Sequence, residues 1–323
     1  MIIETSPRVA ASGPTAPTRW HRPLLYVAVA MVVLALGAVV GLLVDDRRSV
    51  GVPLWLKPLK FMISIGLYTL TMSWLLSLQT RFRRTAWWMG TVVAVALAVE
   101  MMLIVTQIGI RGRQLHFNQT TPVDAMFTQV MAMTIYAMWA AALVITVLSM
   151  FQRLTDRSLT WAIRLGLVLM LIGLALGMLM IPPTAEQAAL HAAGQHLDIV
   201  GGHSVGVPDG GPGIPGLTWS TRGGDLRIPH FVGMHALQLL PLLAFLLRRF
   251  PDRFRTRLVF VAAAGYAGLL ALLTWQALNG EPLLRPGAWT LAGFAVLVVA
   301  TGAGVTMARA GYDHARGRVL DRH

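Results

Sequence analysis

Eight apolar stretches, each close to the 20 residues needed to cross about 30 Å of hydrocarbon, dominate the 323-residue chain. They run over approximately 24–44, 54–78, 86–110, 123–150, 161–181, 229–248, 257–278 and 287–308. No water reaches backbone polar groups inside a bilayer, so such segments must satisfy those groups within helices. The expected fold class is therefore all-α, a polytopic membrane bundle of about eight transmembrane helices. Residues 1–22 are rich in Pro, Thr, Ala and Arg and lack the apolar run of a signal peptide. They read as a disordered cytoplasmic arm. Residues 23–310 form the membrane domain and 311–323 a cytoplasmic tail.

Only 13% of the residues are charged, yet the formal net charge is +13. That balance can mark a nucleic-acid binder, so the placement of the charges decides. With the N-terminus inside, 18 of the 27 basic residues fall on inner segments. This bias over short loops predicts cytoplasmic termini, and it makes the lipid bilayer rather than nucleic acid the expected partner. A second copy of the chain or another membrane protein stays open as a further partner. The chain has no cysteine, which excludes disulfides, thiolate metal sites, iron–sulfur clusters and cysteine nucleophiles.

The longest connection, 182–228, lies on the outer side. Its first part, 184–198, reads as a short interfacial helix. Its second part, 201–224, has nine Gly and three Pro in 24 residues, a density suited to tight turns. Either a folded lid or a flexible linker fits that composition. Gly37/Gly41 and Gly173/Gly177 share small-xxx-small spacing, which permits close helix contact. The third and seventh spans both end outside in a polar cluster (Thr106-Gln107 and Thr274-Trp275-Gln276), hinting at a 4+4 pseudo-repeat with a site between its halves.

The chain has only two lysines, Lys57 and Lys60, three residues apart at the outer start of the second span. They share a helix face, and snorkelling to the headgroups is the plain alternative to a functional role. Glu100 is the one acidic residue near the middle of a span, and such a group should face the bundle interior and find a partner. At 1.5 Å per residue, Lys60 lies about 9 Å and Glu100 about 15 Å below the outer ends of their spans. A buried Lys60–Glu100 pair is therefore expected, or a protonated Glu100 that accepts and releases protons.

Six of nine histidines fall on the outer side. In the loop after the third span, His116 and Asn118 have no local structural role, whereas Thr121-Pro122-Val123-Asp124 reads as a helix cap. The run 224–238 holds Asp225, Arg227, His230, His235 and Gln238. His230, Met234 and Gln238 recur every four residues on one stripe, while His235 stands about 140° away. One ion held by both histidines would be awkward. Candidate cofactors are a haem held through His230, His235 or His116, or a transition-metal ion (zinc, copper or iron) on the same histidines. Simple polar lining of a cavity is equally consistent. Gly202-His203-Ser204-Val205-Gly206 fits G-x-S-x-G formally but lacks the strand and helix that a nucleophile elbow needs. The tryptophans, Trp55 among them, fall mainly where interfacial belts belong.

Lys57-Pro58-Leu59-Lys60-Phe61, Arg111-Gly112 with His116-Phe117-Asn118, and Gly224-Asp225-Leu226-Arg227 with His230-Phe231 and His235-Ala236-Leu237-Gln238 resemble an uncharacterised family of bacterial multi-pass inner-membrane proteins. That resemblance implies a bacterial inner (plasma) membrane location and carries no activity. The eight-helix plan is also distantly similar to haem A synthase, in architecture only. The expected centre opens outward. Glu100, Lys60, Lys57 and Asp225 are its candidate catalytic groups, His116, His230 and His235 its candidate ligands, and Gln107, Asn118, Gln238 and Arg227 its further polar lining. The leading expectation is a haem- or metal-dependent membrane oxidoreductase or related enzyme. The alternatives are a small-solute or ion transporter coupled to protons through Glu100, or a sensor or assembly subunit.

Overall fold

The computed structural model describes residues 19–49, 51–115 and 117–320, the last six as backbone. Eight helices among the described residues are long and apolar enough to cross a membrane. They are α1 (Arg22–Val44), α2 (Leu56–Ser77), α3 (Arg83–Ile104), α4 (Pro122–Met150), α5 (Arg157–Leu176), α7 (Arg227–Leu246), α8 (Asp252–Leu278) and α9 (Ala288–Leu320); α6 (Ala185–Ala192) is a short helix in the long connection. The protein is a multi-pass membrane protein. A π-helical turn, Val105–Ile110, continues α3, and a 3-10 turn, Gly177–Met180, continues α5. Two short antiparallel hairpins complete the fold: β1 (Arg48–Ser49) with β2 (Val52–Pro53), and β3 (Ser204–Val205) with β4 (Gly224–Asp225). We call the end with residues 182–226 the lid end and the other the terminal end.

Local chemistry sets the helix starts. Thr121 and Thr184 cap α4 and α6 through their hydroxyls, the latter in a capping box with Gln187. His21 caps α1: its Nδ1 accepts from the Leu24 amide, so Nε2 carries the hydrogen and donates to the Trp87 carbonyl at 2.9 Å. His21 is 3% exposed. It therefore belongs to the packed bundle, at a position assigned from sequence to the arm.

Helix neighbours fall into two similar groups of four. In the first, α1 packs on α2 and α3, α2 on α3, and α3 on α4. In the second, α5 packs on α7 and α8, α7 on α8, and α8 on α9. A hairpin precedes the second span of each group, and a buried glutamine closes the third. Gln107 donates to the Gln114 carbonyl, and Gln276 to the Pro282 carbonyl, each tying down the loop that follows. Leu237 of α7 enters the core of the first group, together with Met62, Met72, Met101, Ile145, Leu167 and Met170.

The tightest crossing is α5 on α7. A Cβ on Gly173 would lie 2.4 Å from the Gly233 carbonyl carbon, and one on Gly166 would lie 3.0 Å from the Ala236 oxygen. The backbones touch because neither carries a side chain there. Gly177, one turn along, gives its space to the His230 ring. The same spacing in α1 works differently. Gly41 receives the Trp55 indole, while nothing lies within 4 Å of a Cβ placed on Gly37. Trp55 is thus a wedge between Gly41 and Gly109, with Nε1 donating to Asp45 at 2.8 Å, rather than a belt residue.

Candidate functional site

The Gly-rich part of the long connection is a folded lid. Gln187 of α6 accepts from the Gly201 amide and donates to its carbonyl, and the Gly202 amide donates to the Met180 carbonyl. The other face pairs with the α3–α4 loop, through Val200 N to the Phe117 carbonyl and Gln119 N to the Asp198 carbonyl. At its far end Gly224 is pressed onto α8, where a Cβ would lie 1.9 Å from the Ala277 oxygen. A floppy linker has no such repeated anchoring.

Two carboxylates organise the lid from within. Asp209 accepts from the His203 and Ser204 amides at 3.1 and 2.8 Å. Asp225, 1% exposed, accepts from the Ser220 and Arg227 amides and from Nε and Nη2 of Arg227. A carboxylate with four donors is fully used. Thr218 sits between the lid and the helices at φ +62°, a left-handed conformation that is unusual for a β-branched residue. Three contacts hold it. Arg227 Nη2 donates to its carbonyl at 2.6 Å, Lys60 Nζ donates to its hydroxyl at 2.9 Å, and Lys60 also reaches the Leu217 carbonyl at 2.8 Å. Strain of this kind persists only where neighbours over-determine it.

Lys57, Lys60 and Arg227 thus meet beneath the lid. The charged neighbours of Lys57 are Arg227, Lys60 and Asp209, and its ammonium makes no hydrogen bond among the described residues. Both nearby carboxylates are committed, Asp225 to Arg227 and Asp209 to His203 and its own loop. Lys60 is held only by neutral oxygens. Three cations face two carboxylates while His203 stays neutral, so one positive charge is left without a compensating carboxylate.

His203 closes the cluster, and sequence reasoning gave it no part in the site. Its Nδ1 lies 3.1 Å from Asp209 and 3.3 Å from the Ser204 hydroxyl. A relay triad places its serine and carboxylate on opposite ring nitrogens. Here both use the same one, so the formal G-x-S-x-G match is structural. Burial pushes His203 down to about 4, with Arg227 and Lys57 adding to the fall against the opposing pull of Asp209 and Asp225. A histidine that prefers to be neutral in the closed lid stabilises closure above its ordinary 6.5. That contribution is lost as pH falls from 6.5 towards 4. Lid amides 201–226, corrected for intrinsic exchange, should open about tenfold more readily at pH 5 than at pH 7.5. His203→Gln should flatten that dependence, and an equal slope in the variant would rule out His203 as its source.

The other candidates are dispersed. The expected Lys60–Glu100 pair does not form. Thr134 of α4 donates to the Glu100 carboxyl, whereas Lys60 turns up into the lid. Depth along a helix matched the two residues; direction around it separated them. His230 donates Nδ1–H to the Gly173 carbonyl at 2.7 Å, which leaves Nε2 as an acceptor. The His235 ring makes no hydrogen bond among the described residues, and the Gln238 amide, oriented to satisfy its neighbours, places its nitrogen 3.2 Å from both the Met234 and His235 carbonyls. Gln107, fully buried, binds the Asp124 carboxylate, which also pairs with Arg111 and Arg113. Asn118 closes a turn by accepting from the Thr120 amide and hydroxyl. Gln107 and Asn118 therefore brace the loop beside the lid. His116 lies outside the described residues. Among the described residues, no group of three His, Asp or Glu is arranged to hold a metal ion. Comparison with protein-family models, with curated proteins and with solved structures finds no match.

Proposed function

We propose that this membrane protein receives a small anionic group, a phosphate or carboxylate, beneath its lid between α2 and α7. The observation that carries this reading is charge imbalance. Lys57 and Lys60 stand beside Arg227 with the only nearby carboxylates already committed. A surplus positive charge in a partly dry site favours an anion, because the effective dielectric there is far below that of water. Placing the termini in the cytoplasm of a bacterial inner membrane, as the arginine bias favours, turns the lid outward.

The test is anion binding to the purified protein in mild detergent, with inorganic phosphate and succinate as probes against chloride. Lys57→Met with Lys60→Met should weaken the tighter of the two probes at least about tenfold, the loss expected for removing a charge-assisted contact. Equal affinity in wild type and variant, or no preference over chloride, would sink the reading. A second reading, a haem or a zinc, copper or iron ion at His230, is favoured by one specific bond. Nδ1–H to a backbone carbonyl is the second-sphere arrangement that leaves Nε2 free to ligate. An absorption spectrum and elemental analysis of one preparation separate the two, since a Soret band or bound metal lost in His230→Ala supports the second.

A further inference from the structure

The terminal end carries a cavity of about 600 Å³, at the opposite end of the helices from the lid. Arg81, Arg153 and Arg164 line it, with Thr80 between them and Met150 and Phe151 forming an apolar wall. Among the described residues no acidic side chain lines it. Asp156, at the start of α5, is taken by Arg255 at 2.6 Å and by the Leu159 amide. Arg81 and Arg153 make no side-chain hydrogen bond or ion pair among the described residues.

The cavity is also pre-shaped. Gln152 is 6% exposed, and its Oε1 accepts from the Thr80 amide and hydroxyl and from the Arg81 amide. That oxygen locks the α2–α3 turn to the α4–α5 turn. Arg164 Nη2 donates to the Gln152 carbonyl at 2.9 Å, and its guanidinium lies over the Trp161 ring at 5.1 Å. Its Nε is buried without a hydrogen-bond partner. A buried donor left unmade is costly, and guanidinium groups match phosphate oxygens with paired donors.

We infer that this cavity binds a phosphate-bearing anion, supplied by a phospholipid headgroup of the adjoining leaflet or by free inorganic phosphate. A diffuse basic surface would attract anionic lipid without stoichiometry. Three arginines around one shaped space, one of them anchored by Gln152 and Trp161, beside an apolar wall, instead predict a single occupant. This inference is independent of the lid-end site.

The test uses the full chain in nanodiscs of phosphatidylglycerol or of digalactosyldiacylglycerol, which lacks phosphate, with native mass spectrometry counting retained lipid. Inorganic phosphate is titrated separately in detergent. The expected result is one phosphatidylglycerol retained per chain, weakened about tenfold in R81Q/R153Q, whose altered side chains bond nothing in the fold. K57M/K60M, changed at the other end, should retain it fully. A response to phosphatidylglycerol alone assigns the headgroup, and an arginine-dependent phosphate shift assigns the free ion; both support the site. Retention that ignores R81Q/R153Q, or that is equal for both lipids with no phosphate shift, overturns it.

Discussion

Asp225→Ala is expected to open the lid at neutral pH without unfolding the membrane bundle. The carboxylate is buried against Arg227, whose side chain is 20% exposed, and breaking a buried pair by removing one partner costs about 3–5 kcal/mol. The loss is threefold here. The Ser220 and Arg227 amides lose their acceptor, Arg227 keeps only Thr218, and a second surplus positive charge appears among Lys57, Lys60 and Arg227. Because those contacts lie within 218–227, the damage should be local. Limited proteolysis and hydrogen exchange should find 201–226 exposed, while thermal unfolding of the spans shifts little. Asp225→Asn, which keeps an acceptor and loses the charge, should fall between. Unchanged exchange in Asp225→Ala would mean that the α6 and Ala277 anchors alone hold the lid.

How much of this was legible in the sequence depends on whether the signal was local. The spans were, because bilayer thickness fixes their length, and so was the Thr121 cap, which needs only a hydroxyl and three residues of helix. The end of α9 was not. Hydropathy stops near 308 while the helix continues to Leu320, since backbone bonding does not require apolar side chains. Within the site, the lysines drew attention through their rarity, and Arg227 through its run with Asp225. Their partner Thr218 gave no sign, because what singles it out is a left-handed backbone held by Arg227 and by Lys60, 158 positions away. Glu100 was matched to the wrong partner for a related reason. Rise per residue predicts depth, but the face a residue presents depends on neighbours 34 positions away, in this case Thr134. His21 and His203 were hidden by sitting in segments that read as arm and loop.

The α5–α7 crossing turns the same principle into a paired experiment. Gly37 and Gly173 occupy equivalent places in two copies of one motif, and sequence alone treats them alike. A methyl on Gly37 meets nothing within 4 Å, and alanine is the better helix former, so Gly37→Ala should be neutral or stabilise by up to about 1 kcal/mol. A methyl on Gly173 would lie 2.4 Å from the Gly233 carbonyl carbon and 2.5 Å from the Met234 amide nitrogen. Backbone cannot rotate aside as a side chain can, so the helices must separate. Separation also pulls the Gly173 carbonyl from His230 and unseats Leu237 from the core of the first four spans. Overpacking of about 1–3 kcal/mol is compounded by those losses, and Gly173→Ala should cost at least about 3 kcal/mol. Thermal unfolding in detergent reads both variants directly. If Gly173→Ala melts with Gly37→Ala, the close α5–α7 approach does not limit the stability of the bundle. If it melts far below, His230 is positioned by a glycine 57 residues away, and any ligand on its free nitrogen should be lost with it.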